Sequence, residues 1–156
     1  MLSYSKLKPY FFYVFYNLIV LPAVLSLHEY GHWFFAYTLG YHKGYVIFSY
    51  AGGMFILNEQ LKNVLDGFII GVGGGFFASI ILVMLYFAMD WETDFIEKCV
   101  LRNYILHQLS YAYIEGLYGL GLIDYPLLEI TSNIIYPLCL YSTLTYLFIK
   151  YGFGDD

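Results

Sequence analysis

The chain has 156 residues, enough for one domain, and 60% of them are apolar while only 12% are charged. Soluble domains carry about 25% charged residues, so this composition, with a mean hydropathy of +0.63, excludes an ordinary water-soluble fold and points to a bilayer. The net charge of -5 gives no basic footprint for nucleic acid. The two cysteines, Cys99 and Cys139, form no motif and imply no disulfide framework.

Charged residues are missing from three long stretches: between Lys8 and Glu29, between Asp66 and Asp90, and between Glu129 and Lys150. Each gap is about the ~20 residues that a helix needs to cross hydrocarbon. A fourth stretch, 103–123, is apolar apart from His107, Gln108 and Glu115. The expected fold is therefore an all-α, multi-pass integral membrane protein (of the cell membrane), residues 1–156 forming a single domain with about four transmembrane helices.

In chain order, a short basic N-terminus with Lys6 and Lys8 leads into helix A, about Tyr10 to Leu39, with Pro22 expected to kink it. Its apolar stretch is too long for a cleaved signal and is expected to be retained. At 1.5 Å per residue the helix is roughly 45 Å long, so it must tilt, kink or protrude from a ~30 Å core. Residues 45–57 read as a short membrane-associated β-hairpin, with Tyr45 to Tyr50 as one strand, Ala51-Gly52-Gly53 as the turn and Met54 to Leu57 as the other. Helix B, about Val64 to Met89, holds Gly71, Gly73, Gly74 and Gly75, which let another backbone approach closely. Asp66 reads as a charge favourable to that helix's N-terminus. An acidic loop follows. Helix C, about Lys98 to Tyr118, is expected to break up in Gly116, Gly119 and Gly121, and helix D runs from Pro126 to near Lys150.

The chemistry lies in His28-Glu29-Tyr30-Gly31-His32. Residues four apart share a helix face, so both imidazoles can reach one ion. Zn²⁺ at a catalytic site takes three protein ligands and a water, and Glu29 sits where it can accept that water's proton. Ionisable groups inside a membrane helix are costly and usually functional.

The run His28 to Gly40, H-E-Y-G-H-W-F-F-A-Y-T-L-G, resembles the HExGHxxxAxxxG signature of the site-2 protease family of intramembrane zinc proteases. The resemblance implies an intramembrane zinc metalloprotease that cuts membrane-protein substrates in or near their transmembrane segments, with Zn²⁺ held by His28 and His32 and Glu29 as the catalytic base. The hairpin between the first two helices and the Gly-rich helix fall in the family's order. Gly75 to Ser79 is similar to the family's second motif, with Phe76 in place of its proline, and this makes Ser79 a candidate for substrate binding. Glu115 to Asp124 has the spacing of the third motif, with Glu115 in place of its substrate-positioning asparagine, Tyr118 and Gly121 in place of its prolines, and Tyr125 in place of its last glycine. The resemblance makes Asp124 the expected third metal ligand. Glu115, the one acidic residue within helix C, is its rival for that place as well as a substrate-binding candidate. Satisfied or interfacial roles are expected for His107 and His42.

In this mechanism Glu29 takes a proton from water at the metal and passes it to the leaving amine. A substrate helix must unwind to be cut, and the hairpin can hold an unwound segment as an added strand. Lys6, Lys8, Lys98, Arg102 and Lys150 fall on one side of a four-helix layout and Lys43 and Lys62 on the other. The positive-inside rule then puts both termini in the cytoplasm, whereas the family's usual arrangement implies the reverse. Two other readings are a divalent metal transporter, which needs facing ligands on further helices, and a proteolytically inactive membrane scaffold of the same family.

Overall fold

The computed structural model describes residues 4–49, 52–90, 92 and 94–152. Its elements are α1 (Tyr4–Thr38), β1 (Gly44–Ser49), β2 (Gly52–Leu57), α2 (Val64–Ala88), α3 (Phe95–Gly119) and α4 (Tyr125–Gly152). The four helices and the hairpin between the first two correspond to the elements expected from the sequence.

Burial is inverted relative to a soluble protein. Asn103, Gln108 and Thr143 are essentially fully buried, while Phe87 is 78% and Leu138 61% exposed. In water this surface would be unfavourable by about 25 cal/mol for every Å² of apolar area. Three helical stretches, Leu7–Thr38, Val64–Ala88 and Tyr125–Lys150, are long and apolar enough to cross a membrane. The fourth helix, α3, is 25 residues long but carries Glu97, Lys98, Arg102 and Glu115, so it does not share their composition.

Two glycine faces hold the helices together. Along α2, Gly67, Gly71 and Gly75 lie against α3, where an added Cβ would meet the Gly119, Glu115 and Gln108 carbonyl oxygens at 2.2–2.5 Å. Gly73 and Gly74 face α1, against the Phe35 and His32 rings. One helix therefore sets the spacing of both neighbours. Without glycine on both faces, α1 and α3 would stand further apart.

The chain turns are built locally. Gly40, at φ 84°, ends α1. The Tyr41 N–H donates to the Ala36 carbonyl and the Gly40 N–H to that of Tyr37, a Schellman cap. Gly121, at φ 71°, ends α3 in the same way. Gly116 and Gly119 do not break α3, contrary to expectation; they are packing positions within an intact helix. The antiparallel hairpin pairs Gly44 with Leu57 and Ser49 with Gly52. Gly52 and Gly53 thus belong to β2 and not to the turn, and Tyr50, expected to end the first strand, and Ala51, expected in the turn, lie outside the described residues. Pro22 falls inside one continuous α1.

The hairpin is anchored to the start of α2. Asn63 caps that helix by accepting from the Asp66 N–H at 2.8 Å. The buried Tyr41 hydroxyl donates to Asp66 Oδ2 at 2.5 Å and accepts from the Lys62 N–H at 2.7 Å. Burial, and next the bond to Asp66, push the Tyr41 hydroxyl above its usual pKa. Across the loop, the Lys43 N–H donates to Glu59 at 2.7 Å and holds that carboxyl below its usual range.

An apolar cluster around Tyr13, Val24, Leu82, Tyr104 and Leu147 fills the end of the bundle away from the hairpin. A smaller one, Ala36, Tyr41 and Ile70, fills the hairpin end. His28 and His32 lie between the two along α1.

Candidate metal centre

Two helices bring the side chains of the site together. His28 and His32 project from one face of α1, as their spacing requires, and Glu115 meets them from α3. His28 Nε2 and His32 Nε2 are 2.9 Å apart. Glu115 Oε2 lies 3.1 Å from the first and 3.5 Å from the second. The two histidines are 2% and 8% exposed, so water does not separate them from their surroundings.

The outer nitrogens determine what the inner ones are. His32 Nδ1 lies 2.7 Å from the Ile70 carbonyl oxygen, which can only accept, so this nitrogen carries the proton. His28 Nδ1 lies 2.6 Å from Gln108 Oε1, another acceptor. With both rings neutral, the form that ligates a metal, each turns an Nε2 lone pair inward. Glu115 Oε2 is buried, and its close polar contacts are the two Nε2 atoms. Three electron-pair donors facing one another repel unless a cation, a proton or a metal ion, joins them.

The donor set fits a zinc-like ion. Ligands at about 2.0–2.1 Å from a tetrahedral centre stand about 3.3 Å apart, close to the separations found here. Among the described residues, His28, His32 and Glu115 form the one group of three or more such ligand atoms within 4.8 Å of one another.

The histidine rings are closely confined. His32 lies between Gly74 of α2, where any Cβ would collide with the ring, and Phe55 of β2, whose ring stacks on it at 6.2 Å. His28 stacks on Tyr111 at 5.3 Å. Glu29 packs its Cγ against Gly53 of β2, and a Cβ at 53 would stand 2.5 Å away. Glu29, His32 and Glu115 all line one cavity of about 420 Å³, whose other walls include Phe55, Tyr111 and Tyr125. Hairpin, α2, α3 and α4 thus enclose a space beside the three donors.

Asp124, the expected third ligand, is not part of this cluster. Its exposed carboxylate accepts from the Leu127 N–H at 3.0 Å, and its carbonyl accepts from Leu128, so it is the N-cap of α4. Because α3 stays helical to Gly119, the chain reaches Asp124 only after leaving the depth of the histidines. Glu115, four residues earlier than Gly119 on the same helix, is the carboxylate that stands beside the two histidines. Ser79 is buried on α2 and does not line the cavity. It lies five residues beyond Gly74, roughly 7 Å along the helix axis from the turn that meets His32.

Asp66 is on the first turn of α2, as expected, but is tied to Tyr41. His107 contacts Gln108 and the Tyr111 ring, and His42 contacts Tyr37, so neither joins the metal group. Sequence reasoning missed the partners of the outer nitrogens, Gln108 and the Ile70 carbonyl. A glutamine in an otherwise apolar helical stretch was the available signal for the first; a backbone carbonyl leaves none.

Compared with protein-family models, curated proteins and solved structures, the chain matches none.

Proposed function

We propose that this protein is an intramembrane zinc metallopeptidase of the site-2 protease type, with His28, His32 and Glu115 as metal ligands and Glu29 as general base. One observation carries the reading: two imidazole nitrogens and a buried carboxylate oxygen converge beside a second carboxylate on a cavity. The likeness of His28–Gly40 to the family signature supports it.

The four helices would lie in the bilayer, with α3 shielded by the three apolar ones so that its polar side chains face inward. A bound divalent ion supplies Lewis acidity toward a carbonyl oxygen and lowers the pKa of a water. Glu29 takes the proton released at that point and returns it to the leaving amine. The packing of its stem on Gly53 restricts its rotamers and holds the carboxylate at the cavity wall. An extended peptide segment enters beside β2, the strand that lines the cavity, and the water that hydrolysis consumes reaches the same cavity.

The test is cleavage of model transmembrane substrates by the purified protein. Glu29→Gln should lower the rate by 10²–10⁴-fold and keep the metal. Metal flux into vesicles that survives Glu29→Gln would instead favour a transporter. Bound metal with no cleavage of any substrate would favour an inactive scaffold.

A further inference from the structure

Two of the four ring nitrogens in the histidine pair face outward, and their partners differ in kind. His32 leans on a backbone carbonyl, which no substitution at that position can remove. His28 leans on a side chain, Gln108, from a different helix and 80 residues away in sequence.

Gln108 is 1% exposed and both ends of its amide are engaged. Oε1 stands 2.6 Å from His28 Nδ1 and Nε2 stands 3.3 Å from His107 Nδ1. In its Nε2–H tautomer a neutral His107 accepts at Nδ1, and its ring is held between the Tyr111 face and the Tyr136 ring. With the amide nitrogen turned toward that acceptor, the amide oxygen is left for His28. The opposite amide orientation would offer His28 a donor. Its proton would then move to Nε2, pointing at His32 and Glu115, and would block metal ligation.

We propose that Gln108 is a positioning residue that sets the His28 tautomer and so makes Nε2 available to a divalent cation. This rests on the metal-centre reading above. Outer partners of ligating histidines fix ring orientation and raise ligand basicity, and their loss typically lowers metal affinity 10–100-fold. Gln108 sits one helical turn before Tyr111 and two before Glu115 on α3. One helix thus carries the third ligand, the ring stacked on His28, and the group that orients it. The Gly75 contact with the Gln108 carbonyl fixes that turn of α3 against α2.

The experiment uses the full chain in bilayer nanodiscs and has two readouts. ¹⁵N NMR of the histidines in metal-free protein reports the His28 tautomer, and chelator competition reports Zn²⁺ affinity. Wild type should show a protonated Nδ1 at His28. Gln108→Leu and Gln108→Asn, the second retaining an amide that falls one methylene short, should lose that tautomer preference and bind Zn²⁺ 10–100-fold more weakly. Gln108→Glu restores an acceptor and should keep the tautomer and at least wild-type affinity. Should Gln108→Leu not fold, the Asn and Glu pair decides. Wild-type affinity and tautomer in Gln108→Asn, or a protonated Nε2 at His28 in the wild-type protein, overturns the proposal. Wild-type protein that takes up no Zn²⁺ overturns the metal-centre reading itself, an outcome distinct from a wild type that binds and a variant that binds equally well.

Discussion

The α-carbon of Gly71 faces the main chain of Glu115 so closely that a Cβ there would stand 2.5 Å from the Glu115 carbonyl oxygen. This contact relates the glycines of α2 to the chemistry of the site. Glu115 reaches the two histidines because α2 lets α3 approach on one face while Gly74 admits the His32 ring on the other.

Widening that contact should therefore open the donor set. Gly71→Val is expected to push α3 outward, cost about 1–3 kcal/mol in strain, and weaken Zn²⁺ binding at least tenfold. Gly71→Ala should do less of both. Thermal unfolding and chelator competition on the same samples measure the two effects.

The third ligand can be separated from its rival by their different structural roles. Glu115→Ala removes the proposed ligand and should abolish stoichiometric metal binding. Asp124→Ala removes a helix cap and should cost about 0.5–2 kcal/mol of stability while the metal stays. Metal content and melting temperature should move in opposite patterns in the two variants.

In the proposed mechanism Gly53 bears on catalysis through Glu29 alone. A side chain at 53 must displace the Glu29 stem, since the Cβ would lie 2.5 Å from Cγ. Gly53→Val should leave metal content unchanged and reduce kcat about 10²-fold, the usual cost of displacing a reacting group by about 1 Å.

The hairpin anchor should respond to acid. The Glu59 carboxyl is held below its usual range by the Lys43 N–H, so its stabilising contribution is complete above the unfolded-state value and is lost as pH falls through the lower folded-state value. The Lys43 amide resonance should shift with a midpoint below that of a free glutamate, and Glu59→Gln should remove the transition. The opposite shift would place the bond elsewhere.

Much of this arrangement is legible in the sequence because the bilayer imposes long uninterrupted apolar runs and because two histidines four apart must share a helix face. The hairpin was legible from the β-forming run beginning at Tyr45, although its glycines extend β2 instead of forming the turn. What the sequence obscured was the register of α3 against α1. Gly116 and Gly119 look like helix breakers when read along one chain, yet against the Phe68 ring and the Gly67 backbone they are close-packing positions. With α3 intact, Asp124 falls past the end of the helix and Glu115 faces inward. A local motif cannot reveal that, because the deciding contact is with another helix. Gln108 was hidden for the same reason, its partner lying 80 residues away.

Elemental analysis of the purified, detergent-solubilised chain and of its Glu115→Ala and Asp124→Ala variants tests the centre most directly. About one zinc per chain in the wild type and in Asp124→Ala, with none in Glu115→Ala, is the expected result. A metal-free wild type, or zinc retained in Glu115→Ala and lost from Asp124→Ala, would contradict the assignment.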